Sequence, residues 1–365
     1  MTLKNDVGGT ILANGGSGTT LLIDAPLTNN GTLQVTAGST LHVESGFTNF
    51  SGSTLTGGTY IVAGTAQNVG TLKIDALGGN GGEIVSNASK IVLNGSNAEI
   101  TDSANKNALA NFQDNLAAGS FTVEGGQVFA TDPAGNAAFT NAGAVDVGTG
   151  SSFTTSGNYT QTGGTTQIDG RLSAVTGQID ISGGTLSGLG TAVGNVTIGT
   201  DGTLSPGDPG NFNVVGNLTL SGTYDEQIAG PVSPQFDSVT VSGSANLTGG
   251  TLDISLLNGF IPTANQQYII LDATGGLGGT EFATLEGLQY NGGYFTVGYI
   301  GGDEVVLDAN ANPITSGATP EPAEFLPVIG IAAALVARKL RNRRRAAAAV
   351  RAARRGSQNC LCELT

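Results

Sequence analysis

Short runs in which Val, Ile and Leu alternate with Thr, Gln and Asp, each closed by a glycine-containing pair, recur along most of this chain and restrict its fold more than any other feature. Examples are residues 32–36, 40–44, 71–75, 165–169, 178–182, 195–198 and 217–220. A two-residue alternation places one face inward and one outward, the signature of a half-buried strand. The corners carry Gly-Gly, Asn-Gly, Ser-Gly and Asp-Gly, which supply the positive φ angles that tight turns demand. With 59 Gly among 365 residues, long helices are disfavoured. A hydrophobic share of 39% nevertheless lies well above that of a disordered Gly/Ser polymer.

The repeats use a small vocabulary without a strict period. Gly/Ser-Thr-Leu begins at Gly31, Ser39, Ser53, Gly70, Gly184, Gly202 and Gly250; Thr/Ser-Gly-Gly-Thr begins at Thr56, Thr162, Ser182 and Thr248. Strands this short suit a sandwich or a solenoid. The continuity of the pattern favours an all-β, right-handed parallel β-helix whose narrow core is filled by stacked Val, Ile, Leu and Ala without large aromatics. At about 20 residues per coil, the body would hold roughly 15 coils. Residues 1–222 form the expected repeat body, and 223–310 the terminal coils with an antiparallel β cap. Residues 311–322 are then a linker, 323–345 a single C-terminal hydrophobic helix with its basic end, and 346–365 a basic tail. Within the body, Leu109, Phe112 and Leu116 fall at helical spacing after Ser103, which predicts a short helix over 103–118.

Charge divides the chain. Residues 338–365 hold nine Lys/Arg and one Glu, whereas the preceding part holds five Lys/Arg and 27 Asp/Glu. An acidic body does not track a phosphate backbone, so nucleic acid is not an expected partner. From Thr319 the chain reads TPEPAEFLPVIGIAAALVARKLRNRRR. Pro320 and Pro322 hold an extended stretch around Glu321. An unbroken apolar segment then runs from Phe325 to Ala337, and Arg338, Lys339, Arg341, Arg343, Arg344 and Arg345 follow as a stop-transfer cluster. Those 13 residues reach about 20 Å as a helix, and the 18 from Ala323 to Leu340 about 27 Å, a marginal span. The positive-inside rule would keep the arginines cytoplasmic and the acidic body outside. The alternative is an amphipathic or disordered tail.

Pro320-Glu321-Pro322, a short apolar helix and an arginine cluster, in that order, resemble the PEP-CTERM sorting signal of Gram-negative bacteria. The resemblance implies an exosortase-type membrane transpeptidase as partner, transient anchoring in the inner membrane, and delivery to the cell surface or an exopolysaccharide-rich matrix. The body, through phrases such as SGNYTQTGGTTQIDG and GTDGTLSPGDPGN, resembles the Gly-rich β-repeats of autotransporter passenger domains and filamentous adhesins. Members of the sorting-signal family begin with a secretory leader; MTLKNDVGGTILANGG has no apolar h-region, so either the true start lies upstream or this chain is not exported.

Chemistry is sparse. The body offers one His (His42), one Arg (Arg171) and four Lys. Alternation predicts Asp169 and Arg171 as an exposed pair on one strand face, and His42 as a surface residue. The adjacent acids Asp225-Glu226 and Asp303-Glu304 should point to opposite faces, so neither is a ready acid/base couple. Asp201 and Asp208 flank a Gly/Pro loop that suggests calcium, without a supporting repeat. Asn30, Asn158, Asn195, Asn217 and Asn246 match glycosylation acceptors, and stacking of Asn and Thr at the turns explains them better. Cys360 and Cys362 lie in the tail, outside any lipidation motif. No catalytic residue, metal or cofactor is expected. The favoured reading is a non-enzymatic exported surface or matrix protein; the alternative is a secreted carbohydrate-active enzyme on the same scaffold.

Overall fold

The computed structural model describes residues 2–131 and 138–312. Its logic starts at the Gly-Thr-Leu phrase. In each circuit the glycine turns a corner, the threonine opens a strand facing outward, and the leucine or its equivalent points into the core. Parallel pairing aligns these threonines one above another. The column runs through Thr10, Thr32, Thr59, Ser120, Thr165, Thr185, Thr203, Thr223, Thr251 and Thr284, with Lys90 and Ala144 its two departures. The shortest step between neighbours runs from Thr185 to Thr203, and the longest from Thr251 to Thr284. Twelve circuits therefore replace the fifteen that a uniform period suggests, and at about 4.8 Å each the column extends about 50 Å.

Ten of the twelve residues that precede this column are glycine, and packing explains it. The corner carbonyl accepts the amide of the column residue one circuit later: Thr165 N–H donates to Gly143 O (2.8 Å) and Thr185 N–H to Gly164 O (3.0 Å). A Cβ on Gly164 or Gly184 would collide with the carbonyl of the glycine below, and both adopt positive φ (65° and 74°).

The strands Arg171–Gly188 and Thr191–Pro206 run unbroken around the corners. The first pairs in parallel with Ser152–Thr155, Tyr159–Gln161 and Thr165–Ile168 in turn, and the second pairs along the first. These long strands join separate faces into one hydrogen-bonded sheet that closes as a barrel. The expected right-handed parallel β-helix, an open stack of coils ending in a single hydrophobic helix, is corrected to this closed, mainly parallel barrel. No α-helix occurs among the described residues, where the sole helical piece is the 3-10 turn Asp75–Leu77. The helix predicted over 103–118 is absent because Asp102 accepts the amides of Ala104 and Lys106 (both 2.8 Å), closing a tight loop instead. Leu109 is buried from a turn and Phe112 from the irregular stretch after it, while Leu116 is exposed.

Two sheets remain outside the barrel: the pair Leu3–Asn5 with Leu27–Asn29, and a four-stranded sheet of Thr19–Ile23, Ser39–Val43, Gly70–Ile74 and Ala98–Thr101. At the other end Glu304–Ala311 pairs antiparallel with both Gln267–Ala273 and Gly293–Ile300.

The core departs from the expected small aliphatic filling. Phe112, Phe121, Phe129, Phe139, Phe153 and Tyr159 form one buried group with ring centroids 4.8–6.3 Å apart, mostly edge to face. Inward amides form hydrogen-bonded ladders: Asn5 donates to Asn29 (2.8 Å), and Asn87 donates to Asn115 and Asn115 to Asn141 (2.9 Å each).

Pro320, Glu321, Pro322, the Phe325 to Ala337 segment, the cluster from Arg338 to Arg345, and both cysteines lie outside the described residues. Among the described residues no helix is long and apolar enough to cross a membrane, which takes about 20 residues. The expected transmembrane helix, and the inner membrane as its partner, are accordingly corrected and not retained.

Candidate functional site

The outward threonine column is the most regular chemical surface of the barrel. Strand pairing, not side-chain contact, sets its spacing, so a column residue recurs every circuit at about 4.8 Å, and ten of the twelve carry a hydroxyl. A second outward column lies two residues further along each strand. It begins with Leu12, Gln34, Ile61 and Val92, apolar but for Gln34, and ends acidic, at Asp225, Asp253 and Glu286 in adjacent circuits. A further face carries Thr140, Thr160, Asp180, Thr197 and Thr219 as successive partners. Neutral hydroxyl columns bordered by carboxylates can hydrogen-bond a long hydroxylated ligand repeatedly and repel a polyanion.

The acids beside the column follow their burial. The Asp146 carboxyl is half-buried and shifted upward, first by burial and then by the negative charges of Asp169 and Glu124. Asp225 and Glu226 do point to opposite faces. Asp225 accepts a hydrogen bond from Ser205 Oγ (2.9 Å) on the outside. Glu226 is fully buried, and burial, with the charges of Asp237 and Asp225, holds its carboxyl well above the usual carboxylate range. Asp237 is also buried, and burial pushes it up to about 7, against the opposing effect of the amides of Gly210 (2.7 Å) and Gln227 (3.1 Å). Tyr224 lies in the same interior, its hydroxyl donating to Ile270 O (2.9 Å). These groups face the core, out of a substrate's reach.

Asp169 and Arg171 do not share a strand face. Asp169 sits in the corner between Thr165–Ile168 and Arg171–Gly188, accepting Gln167 Nε2 (2.8 Å) and the Leu189 amide (3.0 Å). His42 faces outward and partners Asp75 (Nε2 to Oδ2, 3.0 Å). Asp208 shares a cleft of about 320 Å³ with Asp169, and Asp201 does not line it. Among the described residues no group of three or more His, Cys, Asp or Glu is placed to hold a metal ion. Four of the five Asn-x-Thr positions accept amides at the corners: Asn158 that of Gln178, Asn195 that of Asn217, Asn217 that of Ser244 and Asn246 that of Thr248, at 2.9–3.0 Å.

No protein-family model matches the chain, and no curated protein matches it. The inward asparagine ladder and the full threonine alignment were not read from the sequence. A usable signal exists for the ladder, because Asn29, Asn87 and Asn141 each stand two residues before a corner Gly or Ser.

Proposed function

We propose that this is a non-enzymatic, exported surface or extracellular-matrix protein that holds extended, hydroxyl-rich polymers along its outward threonine columns. The observation that carries the reading is the column from Thr10 to Thr284, kept in register although its circuits differ in length almost twofold. Each hydroxyl contributes a weak contact, and many contacts on one polymer add as avidity. The burial of Glu226 and Asp237 supports a structural role for the barrel's most perturbed acids. The likeness of residues 319–345 to a sorting signal supports export.

Co-sedimentation of the full chain with insoluble neutral glucans tests the proposal. Replacing Thr165, Thr185 and Thr203 together by Ala is expected to lower the retained fraction several-fold while leaving the far-ultraviolet circular dichroism unchanged. Reproducible polysaccharide turnover that vanishes when one carboxylate is changed would overturn it.

A further inference from the structure

The parallel stack is interrupted where the four-stranded sheet outside the barrel ends. On the face that begins with Thr19–Ile23, each strand pairs with the next as far as Ala98–Thr101, and pairing resumes from Val128–Ala130 to Ser152–Thr155 and onward. No pairing joins Ala98–Thr101 to Val128–Ala130. The loop after Thr101 occupies part of the break. Ala108 N–H donates to Ile100 O (2.9 Å), and Asp102 fixes the loop by accepting the amides of Ala104, Lys106 and Gly81. Burial opposes ionisation of Asp102, yet those amides outweigh it and hold the carboxyl below its usual range.

What remains is a cleft of about 350 Å³ between the loop and the two strands. Two polar side chains in its wall are more than nine-tenths buried yet incompletely satisfied: Thr101 Oγ1 and Gln127 Oε1 have no hydrogen-bond partner. Gln127 is held in place by its other amide atom, which donates to Ala98 O (3.3 Å). An unmet buried hydroxyl or amide oxygen opposes folding and is rare in native proteins, so the pair marks a place that a ligand completes. Ser96, Asn97, Asn105 and Asn107 add further amides and a hydroxyl, Phe129 adds an apolar surface, and Glu99 is the one charged residue among the described residues of the lining. Among the described residues of the wall there is no Lys, Arg or His, so these residues give phosphate, sulfate and uronate ligands no counter-charge. The volume is at the small end of ligand pockets.

We infer that the break in the stack is a binding subsite for one or two residues of a neutral saccharide, whose hydroxyls donate to Gln127 Oε1 and exchange hydrogen bonds with Thr101 Oγ1. The subsite is separate from the threonine columns and does not depend on their role.

Saturation-transfer NMR and calorimetry on the full chain, with cellotriose, maltotriose and laminaritriose as probes and trigalacturonate as the charged control, test the inference. At least one neutral trisaccharide should bind. Thr101→Val, which removes only the unmet hydroxyl, should weaken it about fivefold to tenfold without lowering the thermal midpoint, and Gln127→Leu should weaken it similarly. The Thr165/Thr185/Thr203 triple replacement should leave this affinity unchanged, so failure here is distinguishable from failure of the polymer-holding role. Absence of binding by all three neutral probes, preference for the uronate, or an unchanged affinity in Thr101→Val would each overturn the subsite.

Discussion

Residues 2–101 and residues 138–206 are written in the same Gly-Thr-apolar phrase, but their corners differ, and with them the way the faces are joined. In the first stretch the faces belong to separate sheets, and the core is largely Leu, Val and Ile, with Phe47 and Tyr60 as its buried rings. In the second, Arg171–Gly188 and Thr191–Pro206 carry hydrogen bonding around the corners, and the core holds Phe139, Phe153 and Tyr159. The difference teaches that the phrase specifies a strand and its inward side, whereas corner length decides whether neighbouring faces become one sheet. The circuits between Ala144 and Thr223 are the shortest of the column and leave no slack for a loop.

The largest expected effect tests whether the two stretches are energetically distinct. Phe153 touches Phe121, Phe129, Phe139 and Tyr159, so Phe153→Ala should cost about 4 kcal/mol in denaturant unfolding. Leu41→Ala, in the four-stranded sheet, should cost about 3 kcal/mol and speed amide exchange in Thr19–Ile23 while sparing Arg171–Gly188. Equal acceleration in both would merge the two stretches into one cooperative unit and break the comparison.

A smaller effect isolates the corners. Gly184→Ala combines positive φ with a collision against the Gly164 carbonyl and should cost about 2–3 kcal/mol. Gly46, in the first stretch, has Pro26 Cβ at 3.7 Å as its nearest neighbour, and Gly46→Ala should change stability by less than about 0.5 kcal/mol. Matching losses in thermal unfolding would mean that the corners of the first stretch are as tight as those of the second.

The smallest effect over any one pH unit is a slope that reaches only the later circuits. Asp237 has a folded value of about 7 against 3.8 for the free group, so the folded barrel binds this proton more tightly than the unfolded chain does. Stability from this group is complete below about pH 4 and declines as pH rises towards 7, by at most about 1.4 kcal/mol per pH unit. Glu226 acts in the same direction. Amide protection, taken relative to the base-catalysed intrinsic rate at each pH, should therefore fall from pH 5 to pH 8 in Thr223–Ile228 and Ser238–Val241 but not in the amide-laddered circuits around Asn5 and Asn29. Asp237→Asn should flatten the response. A later half as stable at pH 8 as at pH 5 would remove the distinction between carboxyl-containing and amide-containing interiors.

Much of the local structure is legible in the sequence, because strand alternation and glycine corners are nearest-neighbour physics. Gly31-Thr32-Leu33 and Gly202-Thr203-Leu204 each show their outward hydroxyl and inward apolar residue without any tertiary information. Register is not local. Which threonine stacks on which depends on insertions such as the loop after Thr101, and these make the period irregular: the step from Thr251 to Thr284 is nearly twice that from Thr185 to Thr203. The aromatic group was hidden for the same reason: Phe112, Phe129 and Phe153 are far apart until pairing superposes them. The helix expected over 103–118 shows that apolar spacing misleads where an Asp side chain captures the backbone amides first. Glu226 follows the strand alternation inward, but the sequence does not reveal that Asp237 shares its interior.

The corner glycines also make the molecule's reach adjustable in fixed steps. Between Ala144 and Thr223 every circuit presents the same Gly-then-column residue at both of its boundaries. Excising residues 165–184 would bring Thr185 to the rung now held by Thr165, with Gly164 still at the bend. The wall would shorten by about 4.8 Å and lose one hydroxyl position, while the flanking surfaces kept their pattern. Lengthening by duplication follows the same rule, so the number of anchoring points and the distance they cover change together.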